Sequence, residues 1–149
     1  MNVVVAGCGR MGQGIAITYG LAGHKIQLVD MKDRNEKKFN KLIDDTIDKL
    51  NNTLNILYKI KLIKKLHIKK IIKNISILHF SESDKTLNNA DIIFECVPEK
   101  INIKKDTLKI LSKLSSKNSI IASTTSTILS NDLSIFVKFP ERFLNAHWL

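Results

Sequence analysis

Residues 2–12 read NVVVAGCGRMG, and the prediction of the fold begins with them. The run Asn2–Ala6 is short, β-branched and uninterrupted, which is typical of a strand buried on both faces of a parallel sheet. Gly7, Gly9 and Gly12 follow at once in G-x-G-x-x-G spacing. In that pattern the glycines permit a tight turn, a close approach of the backbone to a pyrophosphate, and close packing of a helix on its strand. The stretch therefore predicts a dinucleotide-binding turn.

The segment after the turn completes a strand, helix, strand unit. A helix is predicted over Met11–Leu21, ended by Gly23, and a second strand over Lys25–Asp30. The right-handed crossover rule makes the two strands parallel neighbours. A glycine turn alone could serve a protein without a nucleotide, but this context favours a diphosphate resting on the free N–H groups of the helix N-terminus. We expect Arg10 and Met11 to contact this cofactor together with the glycines.

Asp30 at the end of the second strand indicates which dinucleotide is bound. It stands 18 residues after Gly12, close to the ~20 residues at which this fingerprint places an acid for the adenosine ribose. A carboxylate there accepts hydrogen bonds from the ribose and repels the 2′-phosphate of NADP, so NAD is the predicted cofactor. Lys32 and Arg34 are close enough in sequence to weaken that preference. The alternative is that Asp30 only caps the next helix.

The rest of the chain alternates between apolar strands and amphipathic helices. Two helices are predicted between Lys32 and Lys73, with a break near Asn51-Asn52 or Asn55. Further strands are predicted at Ile75–His79, Asp91–Val97, Ser119–Ala122 and Phe143–Ala146, and helices at Ile101–Leu114 and Asp132–Val137. This alternation predicts a Rossmann-like, doubly wound α/β fold with a mainly parallel sheet and a pair of helices inserted after the second strand.

Composition excludes several other classes of protein. A chain of 149 residues, 44% apolar and 26% charged, fits one globular domain rather than a disordered or collagen-like polymer. No apolar run approaches the ~18–20 residues of a membrane-spanning helix, and no secretory signal is evident, so we expect a soluble, cytoplasmic protein without a membrane partner. Two cysteines are too few for a disulfide scaffold, and no Cys/His cluster has metal-ligand spacing, so no metal is predicted.

The net charge of +10 is concentrated in one segment. Residues 32–73 contain 13 Lys/Arg and 5 Asp/Glu. The simplest explanation is a composition rich in Ile, Lys and Asn that places lysine at exposed helix positions; a nucleic-acid surface is the alternative. Tyr58 is the only aromatic residue between Leu42 and Lys73, and that span contains no arginine. The segment therefore lacks the aromatic and arginine contacts typical of nucleic-acid binding, and no nucleic-acid partner is predicted.

The chain resembles the NAD-binding domain of the L-3-hydroxyacyl-CoA dehydrogenase family, which includes 3-hydroxybutyryl-CoA dehydrogenases. The resemblance covers essentially the whole chain. It rests on VAGCGRMGQGIA at residues 5–16, on residues 23–30, on ADIIFECVPE at 90–99, on IASTTS at 121–126 and on ERFLNAHW at 141–148. The combination of these stretches is considerably more specific than the glycine pattern by itself.

The resemblance implies a reaction and a set of site residues. The family oxidises L-3-hydroxyacyl-CoA to 3-ketoacyl-CoA with NAD, or runs the reverse reaction. By this resemblance His147 is the general base, a role that suits an imidazole because it ordinarily titrates near neutral pH. Ser126 would hydrogen-bond the 3-oxygen of the substrate, and Glu99 and Lys104 would contact the cofactor. Thr124 stands where the family usually has asparagine.

The resemblance also implies what an acyl-CoA substrate requires. The basic helices occupy the place where relatives bind the CoA end of the thioester. Relatives continue with a helical domain that closes the cleft, carries a glutamate that orients the histidine, and forms the dimer. Residues 1–149 correspond to the NAD-binding domain alone, so we expect NAD binding with little turnover, and a homodimer only where the helical domain is present. A related hydroxy-acid or sugar-acid dehydrogenase domain and a non-catalytic NAD-binding module are the alternatives.

Overall fold

A six-stranded parallel sheet forms the centre of the computed structural model, which describes residues 1–148. The strands lie in the order β3-β2-β1-β4-β5-β6. Their order reverses between β1 and β4, and in open α/β sheets of this kind ligands bind at the carboxyl ends of the strands beside that reversal. The bounds are β1 Asn2–Ala6, β2 Lys25–Asp30, β3 Ile75–His79, β4 Ile92–Glu95, β5 Ile120–Ser123 and β6 Phe143–Asn145.

Helices cover both faces of the sheet. They are α1 Arg10–Leu21, α2 Glu36–Lys59, α3 Lys65–Lys73, α4 Asp84–Asn88, α5 Ile101–Leu114 and α6 Ser130–Ser134, with short 3-10 turns at Phe80–Glu82 and Pro140–Arg142. This arrangement confirms the predicted doubly wound α/β fold with two helices inserted after β2. None of the helices within residues 1–148 is both long enough and apolar enough to cross a bilayer.

Alternation along the strands divides the core into two layers. Val3 and Val5 of β1 point to the face covered by α1, α2 and α3, whereas Val4 and Ala6 point to the face covered by α4, α5 and α6. All four side chains are fully buried, which is why these four positions of the strand are apolar. The sheet is thus enclosed on both sides, and its ligand-binding surface is the edge at which the strands end.

The predicted break between the two inserted helices was wrong in position. Asn51 and Asn52 lie inside α2, which continues to Lys59. An asparagine in a helix interior costs no more than about 0.7 kcal/mol relative to alanine, and the neighbouring Leu50 and Leu54 are fully buried in the core. Packing of these leucines therefore outweighs the local preference of the asparagines.

The real break is a helix end that carries no sequence marker. Lys61 has a φ of 61°, in the left-handed region where glycine is usual. The N–H of Leu62 donates to the carbonyl oxygen of Leu57 at 2.9 Å, and that of Lys61 donates to the carbonyl oxygen of Tyr58 at 2.9 Å. These two bonds form a Schellman motif, which ends α2. Because a lysine occupies the glycine position, the pattern could not reveal the end.

Two smaller differences concern short helices. The predicted helix at Asp132–Val137 begins earlier, at Ser130, and ends at Ser134. Helix α4 was not predicted, because a five-residue helix is too short to show a period; its Leu87 is fully buried against the sheet. Neither difference moves a strand end, so neither alters the ligand-binding edge.

Candidate functional site

The glycine turn between β1 and α1 is packed so closely that two of its positions exclude a side chain. Gly7 has a φ of +125°, and a Cβ atom added there would lie 2.6 Å from the carbonyl oxygen of Cys96. A Cβ added at Gly12 would lie 2.1 Å from the carbonyl oxygen of Gly7. The N–H of Gly7 donates to the carbonyl oxygen of Val29 at 2.9 Å, which joins the turn to β2. The turn is therefore joined to β2 by a backbone hydrogen bond, and it leaves no room for a side chain at Gly7 or Gly12.

The start of α1 is open, in contrast to this close packing. Beyond Gly9 itself and its two neighbours in the chain, no atom of residues 1–148 lies within 4 Å of the position that a Cβ at Gly9 would take. Gly9 is the N-cap of α1, and among the described residues no side chain caps this end. The first N–H groups of a helix have no partner within it and carry a partial positive charge. This open, uncapped helix start beside a tight turn fits the diphosphate of NAD.

Asp30 ends β2 next to the turn and is 5% exposed. Its Oδ2 accepts a hydrogen bond from Nε of Arg34 at 2.6 Å, and its Oδ1 accepts a weak one from the N–H of Lys32 at 3.4 Å. Burial, and secondarily the charge of Asp30, raises the pKa of the nearby Cys8 thiol to about 12. Cys8 is thus a protonated, non-nucleophilic thiol in the turn. The acid predicted to hold the ribose stands in place, but it already has an arginine partner.

A second group of predicted residues meets at the ends of β4 and β5. Glu99 lies in the loop after β4, and its Oε1 accepts hydrogen bonds from the N–H groups of Ser126 at 2.9 Å and Thr127 at 3.0 Å. The hydroxyls of Thr125 and Thr127 donate to the same oxygen. Partial desolvation raises the pKa of Glu99, but these hydrogen bonds and the ammonium of Lys104 outweigh it and lower the pKa to about 2. A carboxylate thus holds the loop that carries Ser126.

Ser126 and His147, the two predicted catalytic residues, are in contact. Oγ of Ser126 lies 3.0 Å from Nε2 of His147, and both side chains are exposed at the same edge. The N–H of Ala146 donates to the carbonyl oxygen of Ser123 at 2.9 Å, which continues the pairing of β5 with β6. The sheet itself therefore brings the histidine to the serine, although 20 residues separate them in the chain.

Trp148 anchors the other side of His147. Its ring lies edge-on to Phe94, with 6.1 Å between the ring centroids, and tilted against Tyr19 at 6.4 Å. Such aromatic pairs add about 0.5–1.5 kcal/mol to their burial. The sequence shows the tryptophan but gives no indication of its contacts, because Tyr19 and Phe94 come from α1 and β4.

The structure also contains a buried acid that the sequence reasoning missed. Glu95, the last residue of β4, is fully buried and pairs with the equally buried Lys104 of α5. Nζ of Lys104 lies 2.9 Å and 3.0 Å from the two oxygens of Glu95 and 3.2 Å from Oε2 of Glu99. Lys104 therefore faces two carboxylates. A charged residue inside the apolar run IIFECV at 92–97 is the signal that could have revealed Glu95.

The threonine at the family's asparagine position connects the two strands. The N–H of Thr124 donates to the carbonyl oxygen of Glu95 at 3.0 Å, and its hydroxyl donates to the same oxygen at 3.1 Å. Burial raises the pKa of the adjacent Cys96 thiol to about 12, a rise that the hydrogen bond with Thr124 opposes. Thr124 thus fixes where the loop after β5 begins.

Comparison with known proteins assigns the family. Residues 2–149 match the model of the 3-hydroxyacyl-CoA dehydrogenase NAD binding domain. The chain is 30% identical over 150 residues to a 3-hydroxybutyryl-CoA dehydrogenase of Clostridioides difficile, covering 99% of this chain and 49% of that protein. It is 25% identical over 148 residues to a 5-formyl-3-hydroxy-2-methylpyridine 4-carboxylate 5-dehydrogenase of Mesorhizobium japonicum, covering 99% and 44%.

A solved structure agrees with this assignment. The (S)-3-hydroxybutyryl-CoA dehydrogenase of Ralstonia eutropha superposes with a TM-score of 0.84 at 25% identity, covering 99% of this chain and 48% of that one. The chain spans about half the length of the curated relatives it matches. The match over residues 2–149 confirms the family resemblance and the NAD cofactor inferred from the sequence. The chain belongs to the family of 3-hydroxyacyl-CoA dehydrogenase NAD-binding domains.

Proposed function

We propose that this chain supplies the cofactor-binding domain and the catalytic base of an NAD-dependent 3-hydroxyacyl-CoA dehydrogenase. The observation that carries the proposal is the 3.0 Å contact between Oγ of Ser126 and Nε2 of His147 at the carboxyl edge of the sheet. The glycine turn and Asp30 lie at the ends of β1 and β2 on the same edge. A base and a hydrogen-bonding hydroxyl thus stand at the edge where such folds bind their cofactor.

Different residues in and beside the turn are proposed to bind different parts of the cofactor. The backbone N–H groups at Gly9, Arg10 and Met11 hold the diphosphate, because a helix start favours a negative charge. Gly12 permits the close contact of α1 with β1, and Asp30 accepts the hydroxyls of the adenosine ribose. Bound NAD supplies the acceptor or donor of hydride.

His147 and Ser126 handle the proton of the reaction. In the oxidation direction, Nε2 of His147 accepts the proton of the substrate 3-hydroxyl while C3 loses its hydride. Oγ of Ser126 hydrogen-bonds the same 3-oxygen and keeps it next to the imidazole. In the reduction direction, the imidazolium returns this proton to the oxygen of the 3-keto group.

Glu99 lies in the loop after β4 and contacts the loop that carries Ser126. It holds the N–H groups of Ser126 and Thr127, and its side chain is 35% exposed, so it can also meet the nicotinamide end of the cofactor. Lys104 acts through Glu99, because its ammonium is enclosed by carboxylates and is 1% exposed.

The substrate is proposed to be an acyl-CoA thioester. From Lys49 through Ser81, both included, the chain has eight lysines and no acidic residue, which suits the phosphates of a CoA group. The alternative is a related dehydrogenase domain whose substrate carries no CoA, and the pyridine-carboxylate dehydrogenase among the relatives is named for a substrate without CoA. The two are separated by whether CoA binds to the chain at all.

Calorimetric titration of the chain with NAD, NADP and CoA tests the proposal, with His147→Gln as the catalytic variant. We expect NAD to bind more tightly than NADP, CoA to bind independently, and H147Q to keep the NAD affinity of the wild type. Acetoacetyl-CoA with NADH then gives slow turnover that H147Q abolishes. Absence of NAD binding, or turnover unaffected by H147Q, contradicts the proposal; NAD binding without CoA binding moves the substrate to the alternative class.

A further inference from the structure

Glu95 and Lys104 form a charge pair that is closed off from solvent. Both residues are fully buried, yet each of their polar atoms has partners. Oε2 of Glu95 accepts the hydroxyl of Ser123 at 2.5 Å, and Oε1 accepts the N–H of Val97 at 2.9 Å. Removing one member of such a pair is strongly destabilising because the other charge is left buried and unpaired.

The charges around the pair do not cancel, and the additional negative charge belongs to Glu99 of the candidate site. One ammonium faces two carboxylates, since Nζ of Lys104 also lies 3.2 Å from Oε2 of Glu99. An ammonium has three N–H donors, and the three oxygens around Lys104 account for all of them. The two oxygens of Glu95 fix where Nζ lies, and Nζ then fixes one oxygen of Glu99.

The other oxygen of Glu99 holds the loop of the catalytic pair. Oε1 accepts the N–H groups of Ser126 and Thr127, and Ser126 touches His147. A continuous series of polar contacts therefore runs from Glu95, through Lys104 and Glu99, to Ser126. The four residues lie on four different elements: β4, α5, the loop after β4, and the loop after β5.

We propose that Glu95 and Lys104 are positioning residues, which set the place of Glu99 and thereby hold Ser126 against His147. They do not touch the reacting atoms, and their effect on the reaction passes through the loop. The catalytic meaning of this inference rests on the proposed function; the positioning itself does not, because it concerns contacts within the chain.

The competing explanation is that the pair only stabilises the fold. Under that explanation the loop after β5 is held by its own threonines, and neutralising the pair changes stability without moving Ser126. The two explanations differ in whether Ser126 stays against His147 when the pair is neutralised, and the N–H groups of Ser126 and Thr127 report the state of Glu99 in each variant. An N–H that donates to a carboxylate senses whether that carboxylate is ionised, so its resonance follows the titration of Glu99.

The experiment compares variants of the whole chain by ¹⁵N–¹H spectra recorded from neutral to acid pH. Lys104→Met removes the ammonium but leaves Glu95 buried and unpaired, so it is accompanied by the double variant Glu95→Gln/Lys104→Met, which keeps the volume and removes both charges. Lys113→Met, exposed on the same helix, is the matched control. The charged groups that face Glu99 are Lys104 on α5, Glu95 on β4 through Lys104, and His147 after β6 through Ser126.

In the wild type and in K113M we expect the Ser126 and Thr127 resonances to titrate together at strongly acid pH, since the pKa of Glu99 is about 2. In the folded double variant they should titrate at a clearly higher pH, because the ammonium is gone. The perturbation of His147 resonances by Ser126→Ala, measured in both backgrounds, should fall at least twofold in the double variant. An unchanged perturbation of His147 in the double variant would overturn the proposal even if the titration shifts, because loss of the ammonium alone raises the pKa of Glu99 under either explanation.

This experiment is independent of turnover. If the proposed function failed, for example because H147Q did not affect turnover, the perturbation of His147 by Ser126→Ala would still report positioning. If the positioning failed, NAD binding and the role of His147 would stand. Failure of K104M to fold, with a folded double variant, agrees with an unpaired buried Glu95 and leaves the double variant as the deciding measurement.

Discussion

The glycine turn and the Ser126 loop lie on the same edge of the sheet, but they are built in opposite ways. The turn is made of backbone: added Cβ atoms at Gly7 and Gly12 would lie within 2.6 Å of carbonyl oxygens. The loop is instead held in place by a side chain, since one oxygen of Glu99 accepts hydrogen bonds from two of its N–H groups. The first arrangement lies in consecutive residues, whereas the second depends on three strands ending side by side.

This difference determines how each region should respond to substitution. Where backbone atoms pack directly against each other, an added side-chain atom that does not fit forces the whole chain segment to move. A side-chain arrangement loses one contact at a time, and its remaining hydrogen bonds compensate in part. We therefore expect the turn to fail abruptly and the loop to weaken gradually.

The largest effect is expected from Gly12→Ala. Its Cβ would lie 2.1 Å from the carbonyl oxygen of Gly7, so α1 must move away from the turn. Overpacking of this kind typically costs about 1–3 kcal/mol, and the displaced helix start should weaken NAD binding by roughly 100-fold or more, since about 1.4 kcal/mol is tenfold in affinity and the diphosphate contacts are lost together. Urea unfolding and calorimetry with NAD measure the two effects.

Gly14→Ala is the matched control for this substitution on the same helix. Apart from its neighbours in the chain and the backbone of its own helix, no atom of the part of the chain that the structure describes lies within 4 Å of its added Cβ. Because alanine is the better helix former, G14A should keep NAD affinity and raise stability by about 0.5–1 kcal/mol. Equal damage from both substitutions would show that helix composition, rather than the close approach at Gly12, governs the turn.

The same contrast explains what the sequence could predict. The turn was predictable because Gly7, Gly9, Gly12 and Asp30 lie within 24 residues, and each has a spacing with a physical meaning. The doubly wound sheet was predictable because alternating strands and helices allow few connections. The roles of Ser126 and His147 were implied only by a family resemblance, which did not include their contact. The contacts of Glu95 with Lys104 and Ser123 were not predicted either, because nothing local in the sequence links β4 to α5 and β5.

The helix break shows the same limit within the fold. Three asparagines indicated a break that Leu50 and Leu54 prevent by packing in the core. The actual end at Lys61 depends on a left-handed backbone conformation that its residue type does not mark. Core packing decided the first point and a local backbone conformation the second, and the residue types in that part of the sequence indicate neither.

An intermediate effect is expected from Glu99→Gln, and it depends on pH. The pKa of Glu99 is lowered from its ordinary value of 4.5 to about 2 by its hydrogen bonds and Lys104, against the opposing effect of desolvation. A lowered pKa means that the charged form stabilises the folded state above pH 4.5, and that this contribution is lost as the pH falls towards 2. The urea midpoint of the wild type should therefore fall across that window.

In E99Q the same decline should be smaller, because no carboxylate titrates at this position. The amide oxygen still accepts hydrogen bonds, so the variant should fold and bind NAD at neutral pH. Comparison of the two urea midpoints at each pH isolates the contribution of Glu99 from the other carboxylates. Identical pH dependence in the two proteins would mean that Glu99 does not hold the loop in solution. The loop would then not be an example of an arrangement held by a side chain.

The smallest effect on nucleotide binding is expected at Asp30, whose place depends both on the backbone of the turn and on a side-chain partner. The turn places this acid by backbone contacts, but Nε of Arg34 lies 2.6 Å from its Oδ2 and offsets its charge. An arginine near this position can accommodate the 2′-phosphate of NADP. Arg34→Gln leaves Asp30 without that partner, so NADP binding should weaken more than NAD binding.

The change should be modest because the side chain of Arg34 is 25% exposed and its charge is screened. A partly exposed ion pair is worth about 0.2–1 kcal/mol, so the ratio of NAD to NADP affinity should rise by roughly twofold to fivefold. Calorimetry with both nucleotides measures the ratio, with Lys41→Gln, on the exposed surface of α2, as a control for the loss of one positive charge. An equal loss of affinity for both nucleotides would assign Arg34 a general electrostatic role. An increased NADP affinity would show that Arg34 orients the Asp30 carboxylate rather than offsetting its charge.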